Sequence, residues 1–258
     1  MTKLNDHLYV YYPLMMPRPG GLGCAIYIVK GEKGLLQIDA STRGGGIDEK
    51  KFQEMVADGL DYAQIQGILC THAHPDHVRG IPFWADKAKQ FRIDLPVYIH
   101  AQGVKYIEDQ TLYLPDLQAQ MGDFAKYISY IPHGLGEKVT NLIWGSYFRY
   151  ENVLALSDNQ EFDLGNVIVK AIYTPGHAHN HTVYQVIPKT GNKKYLISGD
   201  LISFKDMEDG KGLRALGSFN TPLSSCKDEI TSLNRVLQDP PDELHTAHYH
   251  SLDRKSVV

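Results

Sequence analysis

The seven residues 71-THAHPDH-77 contain three histidines and an aspartate, in a chain that has 12 histidines among its 258 residues. The apolar run Ile68-Leu69-Cys70 stands directly before them and predicts a short buried β-strand. In α/β proteins the loops at the carboxyl ends of strands usually hold the ligands. We therefore interpret residues 71–77 as part of a metal site at such an edge.

Two further groups of histidines follow or close predicted strands. Imidazole is the commonest protein ligand for zinc and related ions, and loops at neighbouring strand ends can direct several rings to one centre. Asp76 and Asp200 add the carboxylates that such a site needs. The isolated His7, His100 and His133 are interpreted as surface or capping residues. The three clusters comprise His72, His74 and His77; His177, His179 and His181; and His245, His248 and His250.

Predicted strands alternate with predicted helices along the chain, which favours α/β layers. Strands are predicted at 24–29, 35–39, 68–70, 97–100, 167–173, 182–187, 195–198 and 243–247. Helices are predicted at 48–59 and at about 83–91, and a last one begins near Ser224 or Ser225 and ends before Pro240. In this last helix we expect one shared apolar face, formed by Ile230, Leu233, Val236 and Leu237.

The composition argues against nucleic-acid and membrane partners. The net charge is −4 and no run of Lys or Arg exceeds two residues, whereas nucleic-acid binders usually carry a basic face. No apolar stretch approaches the roughly 20 residues that span a bilayer, and no signal peptide is recognised. The three cysteines, Cys24, Cys70 and Cys226, form no CxxC pair. We therefore expect a cytoplasmic protein.

The segment from Ala101 to about Asp163 is less regular and rich in aromatic residues. We interpret it as an insertion within a single domain that spans residues 1–258. Its aromatic side chains suit a pocket or lid for a small molecule with an apolar part. An interface of a homodimer and additional core are the two other interpretations.

Five motifs between Asp39 and His248 resemble those of the metallo-β-lactamase superfamily. They include the HxHxDH pattern at 72–77, the stretch 174-TPGH-177 and the pair Gly199-Asp200. The resemblance implies a four-layer αβ/βα sandwich, in which two β-sheets pack face to face with helices outside. It also implies a dinuclear metal site along one edge of the sheets.

The resemblance assigns a role to each motif residue. It implies two divalent ions, with zinc as the first choice and iron or manganese as alternatives. Asp200 would bridge the two ions, and Asp39 would support the site through hydrogen bonds from outside the ligand shell. The first ion would be held by His72, His74 and His177, and the second by Asp76, His77 and His248.

The chain departs from the superfamily pattern at three places. Ser41 and Asn180 stand where glycines are usual, so the turn at Ser41 stays open. His248 is not flanked by glycines, which leaves His250 as an alternative last ligand. His179 is expected outside the ligand shell or facing solvent, because only one residue of its segment need point towards the metals.

The implied activity is metal-dependent hydrolysis. A metal-bridging hydroxide would attack the carbonyl of an ester, thioester, lactone or lactam, with Asp76 orienting the nucleophile and passing a proton to the leaving atom. Lactonase-like members often have a tyrosine three positions after the bridging aspartate, where this chain has Ser203, which argues mildly against a homoserine lactone. Two alternatives remain: an oxidoreductase resembling mononuclear iron persulfide dioxygenases, and a non-catalytic ligand sensor on the same fold.

Overall fold

The computed structural model describes most of the chain. The described residues are 2–11, 23–42, 49–113, 115–116, 119, 145–191, 193–206, 213–216, 225–248 and 252–253. Among them, no helix is long and apolar enough to cross a bilayer. Phe124, Tyr127, Tyr130 and Trp144 of the predicted insertion lie outside this set, as does His250.

The first sheet has seven strands that lie in the order of the sequence. Its first four strands are antiparallel, and the pairs from β4 to β7 are parallel. The connections carry the helices α1 (Glu49–Ala57), α2 (Pro75–Val78), α3 (Ile81–Lys89) and α4 (Val104–Glu108). The strands are β1 (Thr2–Lys3), β2 (Leu8–Tyr11), β3 (Ile26–Gly31), β4 (Gly34–Ile38), β5 (Ile65–Leu69), β6 (Val97–His100) and β7 (Val153–Leu156).

The second sheet is built from the other half of the chain. Its six strands are β8 (Glu161–Asp163), β9 (Val167–Tyr173), β10 (Thr182–Pro188), β11 (Tyr195–Ile197), β14 (Glu243–His245) and β15 (Leu252–Asp253), in the order β15-β14-β11-β10-β9-β8. β12 (Ser203–Asp206) and β13 (Leu213–Leu216) form a separate hairpin. The helix α5 (Cys226–Leu237) begins at Ser225, whose side chain accepts a hydrogen bond from the N–H of Asp228.

Three apolar clusters fill the spaces between four layers. Because side chains alternate along a strand, β3 directs Ile26 and Ile28 to one face and Tyr27 and Val29 to the other. The first pair packs with α1 and α3, and the second pair packs against the other sheet. A third cluster places Val236 of α5 on the outer face of the second sheet. This arrangement confirms the predicted αβ/βα sandwich.

The predicted apolar face of the last helix is correct at Val236, which is buried, and at Leu233, which packs against the third cluster, but it is wrong at Ile230 and Leu237. Ile230 and Leu237 are 57% and 66% exposed, whereas Glu229, Ser232 and Val236 are buried. A Cβ atom at Gly176 would come within 2.6 Å of the Glu229 Cα, so the loop at 174–177 packs directly on the backbone of α5. Because of this contact, the buried side of α5 includes the polar residues Glu229 and Ser232. The hydrophobic pattern alone does not predict their burial.

Candidate metal centre

The candidate site lies at one edge of the sandwich, where loops leave five strands of both sheets. Asp39 follows β4, residues 71–77 follow β5, and residues 174–181 connect β9 to β10. Asp200 and His248 follow β11 and β14. Both sheets therefore contribute to a single cluster of histidines and carboxylates.

Two buried tyrosines attach each sheet to the loops of the other. The Tyr184 hydroxyl on β10 donates a hydrogen bond to the carbonyl oxygen of Cys70 at 2.7 Å. The Tyr27 hydroxyl on β3 donates to the carbonyl oxygen of Thr246 at 2.7 Å. The backbone N–H of Thr182 also donates to the Thr71 carbonyl at 2.8 Å. These contacts fix the distance between ligand-bearing loops that belong to different sheets.

The first group of potential ligands comprises His72, His74, His177 and Asp200. Nε2 of His177 lies 3.0 Å from Nδ1 of His74 and 3.3 Å from Oδ2 of Asp200. Nε2 of His72 lies 3.9 Å from the same carboxylate oxygen. Three ring nitrogens and one oxygen thus converge on a small volume, as required for a four-coordinate ion.

The second group comprises Asp76, His77 and His248. Nε2 of His248 lies 3.3 Å from Oδ2 of Asp76, and Nε2 of His77 lies 3.8 Å from that oxygen. The Asp200 carboxylate faces this group as well, because it lies 3.5 Å from Nε2 of His77 and 3.4 Å from Nε2 of His248. Asp200 is therefore situated between the two groups.

A hydrogen-bond network centred on Asp39 determines which ring nitrogens face the site. The Asp39 carboxylate lies 2.8 Å from the Thr71 hydroxyl and 2.8 Å from Nδ1 of His77. A carboxylate only accepts hydrogen bonds, so both neighbours donate to it. The Thr71 oxygen must then accept from Nδ1 of His72 at 3.0 Å. Nδ1 of both histidines therefore carries a proton, so Nε2 is the nitrogen that faces the site and that offers a lone pair in the neutral ring.

Those two Nε2 atoms provide the test of whether a metal ion fits. Nε2 of His72 and Nε2 of His77 are buried and have no hydrogen-bond partner among the described residues. A buried polar atom without a partner lowers the stability of the fold by about 1–3 kcal/mol. Each of these two nitrogen atoms belongs to one of the two ligand groups and faces the other members of its group. One divalent cation in each group would satisfy the two atoms, and the donor set suits zinc or iron.

The electrostatics of the two groups differ. Burial, reinforced by the neighbouring His177, lowers the pKa of His74 to about 3, so this ring is neutral and ready to bind a cation. Burial would also lower the pKa of His248, but the carboxylates of Asp200 and Asp76 raise it to about 10. An ion bound by the second group would therefore displace a proton from His248.

Cys24 also lies near this centre but is a poor ligand. Its side chain comes close to Asp39 and His77. Burial raises the pKa of the thiol to about 12, so an ion bound through this sulfur would have to displace the thiol proton. We therefore assign Cys24 to the packing behind the second group.

The loop after β9 supplies two residues that sequence analysis left without a role. The N–H of Asp200 donates to Nε2 of His181, so His181 carries its proton on Nδ1 and donates to Thr174 Oγ1. Nε2 of His181 is thus engaged in a hydrogen bond with the backbone and is not available to a metal ion. Asn180 Oδ1 accepts a hydrogen bond from the N–H of Ala73 at 2.9 Å, between His72 and His74. The asparagine in the usual glycine position thereby ties two ligand loops together.

The remaining histidines of the clusters lie away from the ligand groups. His179 is exposed, as expected from the sequence. His245 is buried between the rings of Tyr27 and Tyr195, and its ring nitrogens have no hydrogen-bond partner among the described residues. The alternative ligand His250 lies outside the described residues, whereas His248 is in contact range of both carboxylates.

A pocket of about 460 Å³ opens beside His74. The residues around α4 form one wall, and Ala178, His179 and Asn180 form the other. Tyr113 packs edge-on against the His74 ring, with 5.8 Å between the ring centroids. Burial raises the pKa of the Tyr113 hydroxyl. The described part of the predicted insertion therefore lines a cavity next to the candidate site.

Comparison with known proteins places the chain in a family. It is 29% identical over 160 residues to the metallo-beta-lactamase fold-containing protein ST1585 of Sulfurisphaera tokodaii, covering 60% of this chain and 50% of that protein. It is 24% identical over 154 residues to the probable metallo-hydrolase YybB of Bacillus subtilis, and the match covers 59% of this chain and 53% of YybB. The matches thus span about half the length of these curated relatives.

Solved structures share the fold. The crystal structure of ST1585 superposes with a TM-score of 0.67 and 23% sequence identity. The superposition covers 96% of this chain and 82% of the ST1585 chain. TTHA1623, solved in a di-iron-bound form, has a TM-score of 0.58 and 22% identity, with 94% of each chain covered. The family model of the metallo-beta-lactamase superfamily matches residues 19–248. This chain is therefore a member of the metallo-β-lactamase superfamily, a fold that implies binding of divalent metal.

Proposed function

We propose that this protein is a hydrolase that binds two zinc ions and cleaves an ester-type bond of a small molecule with an apolar part. The first ion would be bound by His72, His74 and His177, and the second by Asp76, His77 and His248. The position of Asp200 is the observation that carries the proposal. Its carboxylate lies within 3.5 Å of ring nitrogens from both groups, as a bridging ligand requires.

The chemistry follows from how the chain presents its own groups. When bound, a pair of zinc ions supplies Lewis acidity and lowers the pKa of water to about 7. Asp39 and Thr71 keep His72 and His77 in the tautomer that exposes Nε2. Asp76 is the more exposed of the two site carboxylates, with 18% of its side chain accessible against 10% for Asp200. Its carboxylate is therefore the group placed to accept a proton from attacking water and to pass it to the leaving atom.

Metal content and turnover test this proposal together. We expect the purified protein to contain about two zinc ions per chain, and to hydrolyse at least one member of a panel of thioesters, esters, lactones and β-lactams. A chelator should abolish the activity, and added zinc should restore it. His72→Ala and Asp200→Ala should remove activity and metal while retaining the fold. His7→Ala is the control, because this histidine before β2 belongs to neither ligand group and does not line the pocket.

The alternatives give different results in the same experiment. A coloured protein with about one iron per chain and persulfide oxidation would favour the dioxygenase-like activity. Two bound ions with no turnover across the panel would favour the ligand sensor. Activity of Asp200→Ala at the parental level would refute the proposed role of the bridging carboxylate.

A further inference from the structure

The pocket beside His74 contains a polar group that the proposed mechanism does not use. Tyr113 lines this pocket, and its ring packs against the His74 ring. Its hydroxyl has no hydrogen-bond partner among the described residues. A hydrogen-bond donor thus lines the pocket next to the ring of His74.

Tyr106 provides an internal comparison. It lines the same pocket, and its ring lies 5.5 Å from that of Tyr113 in an edge-on arrangement. Its hydroxyl, however, donates a hydrogen bond to Asp116 at 3.2 Å. Two neighbouring tyrosines therefore supply similar apolar surface, but among the described residues only one of the two hydroxyls is engaged.

The charges around the pocket indicate what kind of group it accepts. Lys105 lines the pocket but forms an ion pair with Asp116, and the carboxylate of Glu108 adds an opposite charge. Lys105 and Asp116 cancel each other, so Glu108 leaves the pocket with a net charge of −1, which disfavours an anionic acyl substituent. Two tyrosine rings and the aliphatic Ala101, Val104 and Ala178 suit an uncharged apolar group.

We propose that Tyr113 is a catalytic residue, whose hydroxyl donates a hydrogen bond to the carbonyl oxygen of a substrate with its uncharged apolar acyl group in this pocket. The inference rests on the proposed hydrolase function and extends it to the acyl side of the substrate. A fixed donor that meets the developing negative charge stabilises the transition state more than the ground state. His74 and Tyr113 would then flank the reacting carbonyl from the pocket side.

The substitution Tyr113→Phe tests this role, because it retains the ring that packs on His74 and removes only the hydroxyl. Phenylphosphonate is the binding probe, since it combines a tetrahedral oxyanion with an apolar ring. By calorimetry on the zinc-loaded protein we expect Tyr113→Phe to bind it about tenfold more weakly than the parent. For hydrolysis of 4-nitrophenyl phenylacetate we expect kcat/KM to fall about 100-fold. Zinc content and Tm should not change.

The matched variant Tyr106→Phe retains the second ring of the pocket and should lose clearly less than Tyr113→Phe in both assays, since its hydroxyl is already bound to Asp116. Parental binding and turnover in Tyr113→Phe would overturn the inference. Equal losses in the two variants would also overturn it, because the effect would then belong to the pocket wall. A zinc-loaded, active parent that does not bind phenylphosphonate overturns it as well. A parent that binds no zinc and hydrolyses nothing refutes the proposed function itself.

Discussion

The Asp39 carboxylate lies 2.8 Å from Nδ1 of His77 although the backbone of Asp39 adopts a left-handed conformation with φ of 59°. This conformation is costly for a residue with a side chain. The side-chain amide of buried Gln37 donates to the Asp39 carbonyl oxygen at 2.9 Å and supports the turn. A strained backbone conformation thus positions the Asp39 carboxylate, which orients His77 directly and His72 through Thr71.

We expect Asp39→Asn to weaken metal binding about 10- to 100-fold, as loss of an outer hydrogen-bond partner typically does. Oδ1 of Asp39 accepts from the Thr71 N–H, and Oδ2 accepts from the Thr71 hydroxyl and from Nδ1 of His77. An amide nitrogen at either position removes an acceptor, so the tautomers of His72 and His77 are no longer fixed. Competition with a chromophoric chelator measures the affinity. Asp86→Asn is the control, because its side chain is 65% exposed on α3. Unchanged affinity in Asp39→Asn would contradict the assigned network.

Gly199→Ala should destabilise the fold more than Gly59→Ala. Both glycines have left-handed φ angles, +51° and +81°, so both substitutions incur backbone strain of about 1–2 kcal/mol. At Gly199 the new Cβ would also meet Nε2 of His181 at 2.7 Å, whereas nothing lies within 4 Å at Gly59. Overpacking of this kind costs a further 1–3 kcal/mol, roughly. Chemical denaturation measures the difference, and equal losses would exclude the close contact.

Ser41→Gly should stabilise the protein. Ser41 has a φ of 56°, and its buried hydroxyl has no hydrogen-bond partner among the described residues. Glycine removes the strain and the unpaired oxygen, at an entropic cost of about 0.4–1 kcal/mol. Ser41→Ala separates the two effects, because it removes only the oxygen. We expect Tm to rise in the order Ser, Ala, Gly, and a glycine variant below the alanine variant would contradict this account.

His245 should make stability fall as the pH decreases from about 6.5 to 4. Burial lowers its pKa in the folded state to about 4, from the ordinary value of about 6.5. Between pH 6.5 and pH 4 His245 is protonated in the unfolded chain and neutral in the folded chain. The free energy of unfolding therefore decreases as the pH falls through this range. The maximum loss is on the order of 3 kcal/mol. His245→Leu should show a smaller decrease over this window, and parallel denaturation curves would rule out the effect.

Much of the candidate site could be predicted because its ligands are reactive residue types at strand ends. The pattern at 72–77 and the residues His177, Asp200 and His248 stand out in composition, and the structure brings them together around two groups. The roles as metal ligands stay predictions. The strand at 97–100 and the position of Asp39 just after β4 also agree with the sequence, because apolar runs bounded by turns are distinctive.

Other features depend on contacts between distant segments. The Thr71 hydroxyl could have been suspected only from its place beside His72, since its partner Asp39 lies 32 residues away. Asn180 was visible as a departure from the family pattern, but its hydrogen bond to Ala73 spans 107 residues. No sequence signal separates Tyr113 from the other aromatic residues of its segment. The orientation of α5 follows from backbone packing at Gly176, which hydrophobicity does not encode.

The distribution of ligands over both sheets has a thermodynamic consequence. An ion held by His72 and His74 from one sheet and by His177 and Asp200 from the other would act as a cross-link that forms only when the two sheets are docked. Occupancy and folding would then be linked by mass action. Each tenfold rise in free metal above the dissociation constant would add about 1.4 kcal/mol to the free energy of unfolding. The free energy of unfolding of this protein would thereby depend on the concentration of free metal around it.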